Sequence, residues 1–451
     1  MAIAIILVLL TLGTVIFHFA SPWWFTEIAS NWGNIDDTVN LTFWVTGIVY
    51  VLLNGFLAWS VVRYRHRKGQ QAHHDPENKK LEWWLIGITT VGVVAMLAPG
   101  LFAWKDVVTV PADASEVEVL GQQWNWSFRY PGDDGAMGRS GVEFVSVANP
   151  FGVDPDDPAG QDDVLVSEPI LHLPIDKPVK LLLRSLDVLH NFTVPQFRLK
   201  MDLVPGMVTY FWLTPTRTGR FDILCEELCG IGHFTMRAKV IVDEQAAFDQ
   251  WLDVQPTFAE ILARPEADAL AGQASFAVCA SCHGAQGEGN QALNAPKLSG
   301  QTDWYLRRQL ANYKNGLRGT HEDDTWGRQM APMAAMLVDD AAINNVVAYI
   351  GTLPDNPVTH TISGDVDRGE KIFVNCKACH GERGQGIWSI RAPRIARSND
   401  WYVATQLNNY QRGIRGAHPH DMYGKQMGLM AKIMRDDEAV NDVIAYINTL
   451  P

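Results

Sequence analysis

The chain is poor in cysteine and in basic charge. Its 451 residues hold six cysteines, and each sits in a motif: Cys225 and Cys229 in one string, Cys279 with Cys282 and Cys376 with Cys379 in two others. None is left for a structural disulfide. Lys and Arg number 37 against 50 Asp and Glu, a net charge of -13, which speaks against nucleic acid as a partner. No Lys or Arg precedes the first apolar run, 2–17, and a cut after Ala20 would place His18 where signal cleavage wants a small residue. That run therefore reads as a retained span, with a cleaved signal as the alternative. The linking segments 244–262 and 355–366 are neither long nor low in complexity, so the units they join should stay close. The length accommodates about three soluble-sized units.

Two further apolar stretches, 43–62 and 83–104, each have about the 20 residues a helix needs to cross a bilayer. Between them lies Arg63-Tyr64-Arg65-His66-Arg67-Lys68, then Lys79 and Lys80, whereas 21–39 holds Glu27, Asp36 and Asp37 and no Lys or Arg. The positive-inside bias puts 63–80 in the cytoplasm, and 21–39 and everything after 104 outside. Trp23, Trp24, Trp44, Trp83, Trp84 and Trp104 fall near the span ends, as interfacial anchors do.

The string Cys225-Glu226-Glu227-Leu228-Cys229-Gly230-Ile231-Gly232-His233-Phe234-Thr235-Met236 gathers two thiols, an imidazole and a thioether. These soft and borderline ligands select copper over hard cations. A mononuclear blue-copper site uses one Cys; two can bridge two coppers, and Asp187-Val188-Leu189-His190 offers a second imidazole. A zinc site is the competing reading of the Cys pair alone. A Cys225–Cys229 disulfide would leave His233 and Met236 without a purpose. Around this string, 109–243 reads as β structure, with alternating or β-rich runs at 116–119, 179–183, 209–213, 221–224 and 237–242, and a Gly-, Pro- and Asp-rich external loop at 131–163.

Cys279-Ala280-Ser281-Cys282-His283 and Cys376-Lys377-Ala378-Cys379-His380 are c-type haem attachment signals. They belong to a gapless repeat: Cys279 and Cys376, Trp304 and Trp401, Tyr313 and Tyr410, Met330 and Met427, and Tyr349 and Tyr446 are each 97 positions apart. Two copies of one helical fold account for this. Met330 and Met427 are the expected distal iron ligands, both 47 residues after their haem histidine, with Met333 and Met430 as alternatives. A His/Met pair fills both axial positions and favours electron transfer over ligand binding. Met336 and Met434 do not align and read as core, and His321 and His418 read as surface.

The first 243 residues resemble cytochrome c oxidase subunit II, and the rest resembles a tandem of class I cytochromes c. The combination is similar to a caa-type haem-copper oxidase subunit that carries its own donor. The resemblance implies a multidomain chain of transmembrane helices (1–108), a cupredoxin-like β-sandwich with a dinuclear CuA centre (109–243), a linker helix (244–262) and two all-α cytochrome c domains (263–354 and 355–451). It implies Cys225 and Cys229 as bridging thiolates, one imidazole each from His190 and His233, the Met236 thioether and the Glu227 carbonyl as weak ligands, and a magnesium ion on the Glu227 side chain shared with a large subunit. In Gly121-Gln122-Gln123-Trp124-Asn125-Trp126 it makes Trp124 the point where electrons enter, and it makes Glu82 the mouth of a proton channel. Here Leu85-Ile86-Gly87-Ile88 follows instead of the family's Trp-Thr and Pro, and Met207 replaces an Arg in the string 199–207 that faces the large subunit. The implied partners are that large subunit, other oxidase subunits, the membrane, and an upstream donor, either a soluble cytochrome or a quinol-oxidising complex. The implied location is a bacterial inner membrane with the metal domains on the outer side. A CuA-containing nitric oxide reductase subunit and a membrane-tethered relay are the alternative functions; a quinol oxidase subunit, which lacks the copper ligands, is excluded.

Overall fold

The computed structural model describes residues 1–21, 26–71, 76–146, 148–388 and 390–451. Trp23 and Trp24 lie outside these residues. Three helices, α1 (Ala2–Ala20), α2 (Gly33–Arg63) and α3 (Lys79–Val108), are long and apolar enough to cross a membrane. They present Leu9, Leu52, Val91, Trp44, Trp83, Trp84 and Trp104 outward, the surface a bilayer would cover. In α1 and α2 the paired ends meet through His18 with Phe43 and Phe19 with Trp44, whose ring centroids lie 5.6 and 6.1 Å apart.

Ten strands follow: β1 (Ser115–Gln122), β2 (Asn125–Tyr130), β3 (Val164–Val166), β4 (Ile170–Pro174), β5 (Val179–Ser185), β6 (His190–Thr193), β7 (Lys200–Leu203), β8 (Thr209–Leu213), β9 (Gly219–Cys225) and β10 (Arg237–Asp243). They form two five-stranded sheets, β3-β2-β1-β5-β8 and β4-β10-β9-β6-β7. The pairs β1–β5 and β10–β4 are parallel, and the other pairings are antiparallel. The alternation along β5 and β10 turns Val179, Leu181, Leu183, Ala238, Val240 and Val242 into a shared core with Trp126, Phe192 and Phe211. The chain at 131–163 is more than an external loop: Phe151 and Val153 are fully buried with Leu120, Leu165 and Phe258.

The sandwich is clamped to the membrane helices from two directions. The α1–α2 connection sends Ala29 and Trp32 into the β core, and Trp32 Nε1 donates to the Trp212 carbonyl at 3.0 Å. Trp212 Nε1 donates to the Asp106 carbonyl at the end of α3, 3.1 Å away, and Arg198 Nε pairs with Asp36 at 2.6 Å. The α1–α2 connection, the exit of α3 and the sandwich therefore share one side of the membrane, the side the charge asymmetry assigns to the exterior.

Short helices α4 (Gln245–Asp253) and α5 (Phe258–Leu262) lead to the repeats. The first repeat contains α6 (Ala269–His283), α7 (Asp303–Lys314), α8 (Thr325–Ala335) and α9 (Asp340–Thr352); the second contains α10 (Val366–His380), α11 (Asp400–Gln411), α12 (Met422–Ala431) and α13 (Asp437–Ile447). Helices α6 and α9 cross at Gly272, where a Cβ would overlap the Asn345 carbonyl; α10 and α13 cross at Gly369, against the Asp442 carbonyl. Ring contacts beside each crossing repeat too: Phe276 with Tyr349 at 5.3 Å, Phe373 with Tyr446 at 5.1 Å. One expectation fails here. Met434 is buried, but Met336 is exposed at the end of α8, because at the bend between α8 and α9 it is Leu337, not Met336, that enters the core.

Candidate copper site and haem clefts

Strand pairing brings the copper string and the distant imidazole together. Phe192 of β6 is in register with Cys225, the last residue of β9, and this sets His190 beside the thiol. Ligand atoms of His190, Cys225 and Cys229 all lie within 4.8 Å of one another. The two sulfurs are 3.7 Å apart; His190 Nδ1 is 4.0 Å from the Cys225 sulfur, and His233 Nδ1 is 3.5 Å from the Cys229 sulfur. The Met236 sulfur lies 3.8 Å from that of Cys229, and the Glu227 carbonyl oxygen 3.2 Å from that of Cys225. His190 and Met236 are fully buried, Cys229 nearly so, and His233 half-buried. Four further donors thus surround one pair of sulfurs, a six-donor set that fits two coppers and leaves no position for substrate. The hydrogen bond between the sulfurs pulls the Cys225 thiol down and pushes Cys229 up.

Two supports of this site escaped sequence reasoning. Asp187 accepts from His190 Nε2 at 2.8 Å, which fixes the tautomer that turns the Nδ1 lone pair to the sulfurs. The acid lies three residues before the histidine, a spacing that could have been noticed. Gln123 Nε2 and Trp124 Nε1 both donate to the Cys229 carbonyl, at 2.7 and 3.3 Å, and pin the loop from below. Gly232 is required there, since a Cβ would overlap the Trp124 indole.

Each repeat opens into a cleft. The first is lined by Cys279, Cys282, His283, Met330 and Met333; the second by Cys376, Cys379, His380, Met427 and Met430. His283 Nδ1 donates to the Pro296 carbonyl and His380 Nδ1 to the Pro393 carbonyl, each at 2.7 Å, leaving Nε2 as the free ligand. Burial lowers the pKa of both imidazoles and keeps them neutral, the form that ligates iron. Both candidate methionines face each cleft, and Met330 is the more buried of the first pair. His321 and His418 line neither cleft among the described residues.

A buried guanidinium stands in each cleft. Arg318 donates to Gln309 at 2.6 Å and to Tyr402 and Gln406 at 3.1 Å; Arg415 donates to Gln406, Tyr305 and Gln309 at 2.9, 2.8 and 3.0 Å. These acceptors are neutral, and Arg318 Nε has none among the described residues. A carboxylate-bearing macrocycle such as haem would supply the missing counter-charge. All of these residues obey the 97-residue offset, which could have revealed them.

Trp124 is buried beneath the second repeat, with Gln426 Nε2 donating to its carbonyl at 2.9 Å. Glu82 is not part of this assembly. It is exposed in the first turn of α3, a helix of 30 residues whose other end meets the sandwich.

Residues 116–244 match the family described as cytochrome c oxidase subunit II, periplasmic domain, and residues 269–354 and 366–451 each match cytochrome c. An alternative cytochrome c oxidase subunit 2 of Bradyrhizobium diazoefficiens is 60% identical over 264 residues, covering 58% of this chain and 95% of that protein. A cytochrome c oxidase subunit 2 of Cereibacter sphaeroides is 27% identical over 233 residues, 47% of this chain and 74% of that protein. Among solved structures, reduced recombinant cytochrome c4 from Pseudomonas stutzeri is 27% identical, covers 41% of this chain and 100% of its own, and has a TM-score of 0.33.

Proposed function

The chain belongs to the cytochrome c oxidase subunit II family, and from that premise we propose that it collects electrons in its two haem clefts and delivers them through its copper loop to the oxygen-reducing large subunit of a haem-copper oxidase. Bound copper and haem would supply one-electron redox chemistry; the chain's residues hold these groups in place and exclude water. Cys225, Cys229, His190, His233, Met236 and the Glu227 carbonyl would hold the coppers. Burial of the donors behind Trp124 and Gly232 holds the ligand geometry rigid, so little reorganises when charge changes. Cys279, Cys282, Cys376 and Cys379 would attach the haems, and His283 with Met330 and His380 with Met427 would hold their irons.

The observation that carries this reading is the convergence of two imidazoles, a thioether and a carbonyl on one sulfur pair, with Asp187 fixing the orientation of His190. Cys229→Ser should abolish the dinuclear copper spectrum while both haems remain; unchanged copper content would contradict the assignment. Three finer parts belong to the same proposal. The Glu227 carboxylate reaches a magnesium ion held mainly by the large subunit. Glu82 serves a proton path in that subunit. The membrane is a bacterial inner membrane, with the sandwich and repeats on its periplasmic side. Neither the nitric oxide reductase nor the isolated-relay alternative gains support from any feature of the fold.

A further inference from the structure

The two repeats are alike in sequence but occupy different surroundings. The cleft of the second repeat is walled by Trp124 and Thr235 of the sandwich; among the described residues the sandwich contributes nothing to the wall of the first. Thr235 immediately precedes Met236 and is itself buried. Helix α12 makes the junction. Its Tyr423 hydroxyl meets Asn125 Oδ1 and the Ser167 carbonyl, each at 3.2 Å, and its Gln426 reaches the Trp124 carbonyl one residue before Met427. Ala378, Cys379 and Ile390 pack directly onto the β core cluster that contains Trp124, Cys229 and Met236.

In the first repeat the same face is open. Trp326 stands 97 residues before Tyr423 and is 42% exposed; Met333 and Leu293, which line the same cleft, are also exposed. Between the clefts, six residues line both: Gln301, Tyr305, Gln309, Ser398, Tyr402 and Gln406. The spatial order is therefore open face, first cleft, shared wall, second cleft, Trp124 and Thr235, copper loop.

We infer that the two repeats work in series and in chain order: the first repeat receives electrons on its Trp326 face from an external one-electron redox protein, and the second hands them to the copper loop across Trp124 and Thr235. The inference rests on the function proposed above. Each transfer moves one electron and makes or breaks no bond; the external protein is oxidised, and the oxygen-reducing partner is the sink. The second repeat occupies on the sandwich the place a free cytochrome would need, since Trp124 is only 6% exposed. The external donor is thereby directed to the one copy of that face left open.

The test uses the full-length chain loaded with copper and haem. Flash photoreduction would follow reoxidation of haem in step with bleaching of the copper absorbance. In Cys376→Ser/Cys379→Ser the first haem should still be reduced, and its electron should no longer reach copper. Copper reduction from the first haem at the parent rate would overturn the order. Should that variant not fold, Tyr423→Phe/Gln426→Ala keeps both haems; haem-to-copper transfer should slow while exchange between the haems holds. An unchanged haem-to-copper rate would again overturn the order. Absence of the copper absorbance from the parent chain itself would instead defeat the function proposed above.

Discussion

Asp187 shows how much depends on a residue that is not itself a ligand. It sits at the surface, accepts from His190 Nε2 and also takes the Gln123 backbone N–H at 2.7 Å, so one carboxylate ties the imidazole to the β1–β2 turn that carries Trp124. Outer partners of metal-bound histidines typically govern affinity by about 10–100-fold. Asp187→Asn should weaken copper binding by about that factor in a competition titration and leave the haems untouched; equal affinity would show that His190 needs no orienting partner. The choice of distal methionine also belongs to single side chains. Met330→Ala should lower the potential of the first haem in a redox titration, because the thioether favours the reduced iron. An unchanged potential would transfer the role to Met333.

Elements explain why the sequence repeats as it does. The crossings α6–α9 and α10–α13 depend on the absence of a side chain at Gly272 and Gly369, where facing backbone carbonyls approach too closely for a Cβ. Gly272→Ala should destabilise the first repeat by about 1–3 kcal/mol, the usual cost of overpacking, measured by denaturant unfolding followed at its haem band. A neutral effect would mean that the helices can slide apart at no cost. The helical repeats were legible because their signals are local: Cys-x-x-Cys-His, an amphipathic final helix and a constant offset. The strands were only half legible. β1, β5, β8, β9 and β10 show alternation or β-rich composition, but β2 is buried on both faces and β3, β6 and β7 have three or four residues, too few to establish a period.

At the scale of the whole molecule, the ligands announce themselves, whereas the supports left only faint signals in the sequence. The copper donors lie mostly within twelve residues, so composition and spacing announce them; Asp187, Pro296, Pro393 and the Arg318–Arg415 wall act through folded geometry. The junction of α12 with Trp124 joins residues some 300 positions apart and leaves no local pattern. That junction is where the proposed relay joins its two halves. If Trp124 is the entry point proposed above, the second repeat covers the surface a diffusing donor would use, and tethering would raise the local donor concentration to about millimolar or above. The clamp between Trp32, Trp212 and Asp106 then holds the whole relay against the membrane, where a large subunit can meet it.

The central claim is that this relay feeds an oxygen-reducing partner. Its most direct test is to purify the tagged chain from its native membranes, quantify copper and haem, and measure oxygen uptake by the product. The account predicts two coppers and two covalent haems on this chain, with a co-purifying large subunit that consumes oxygen. Recovery of the chain alone, or with a partner that reduces nitric oxide and not oxygen, would contradict it.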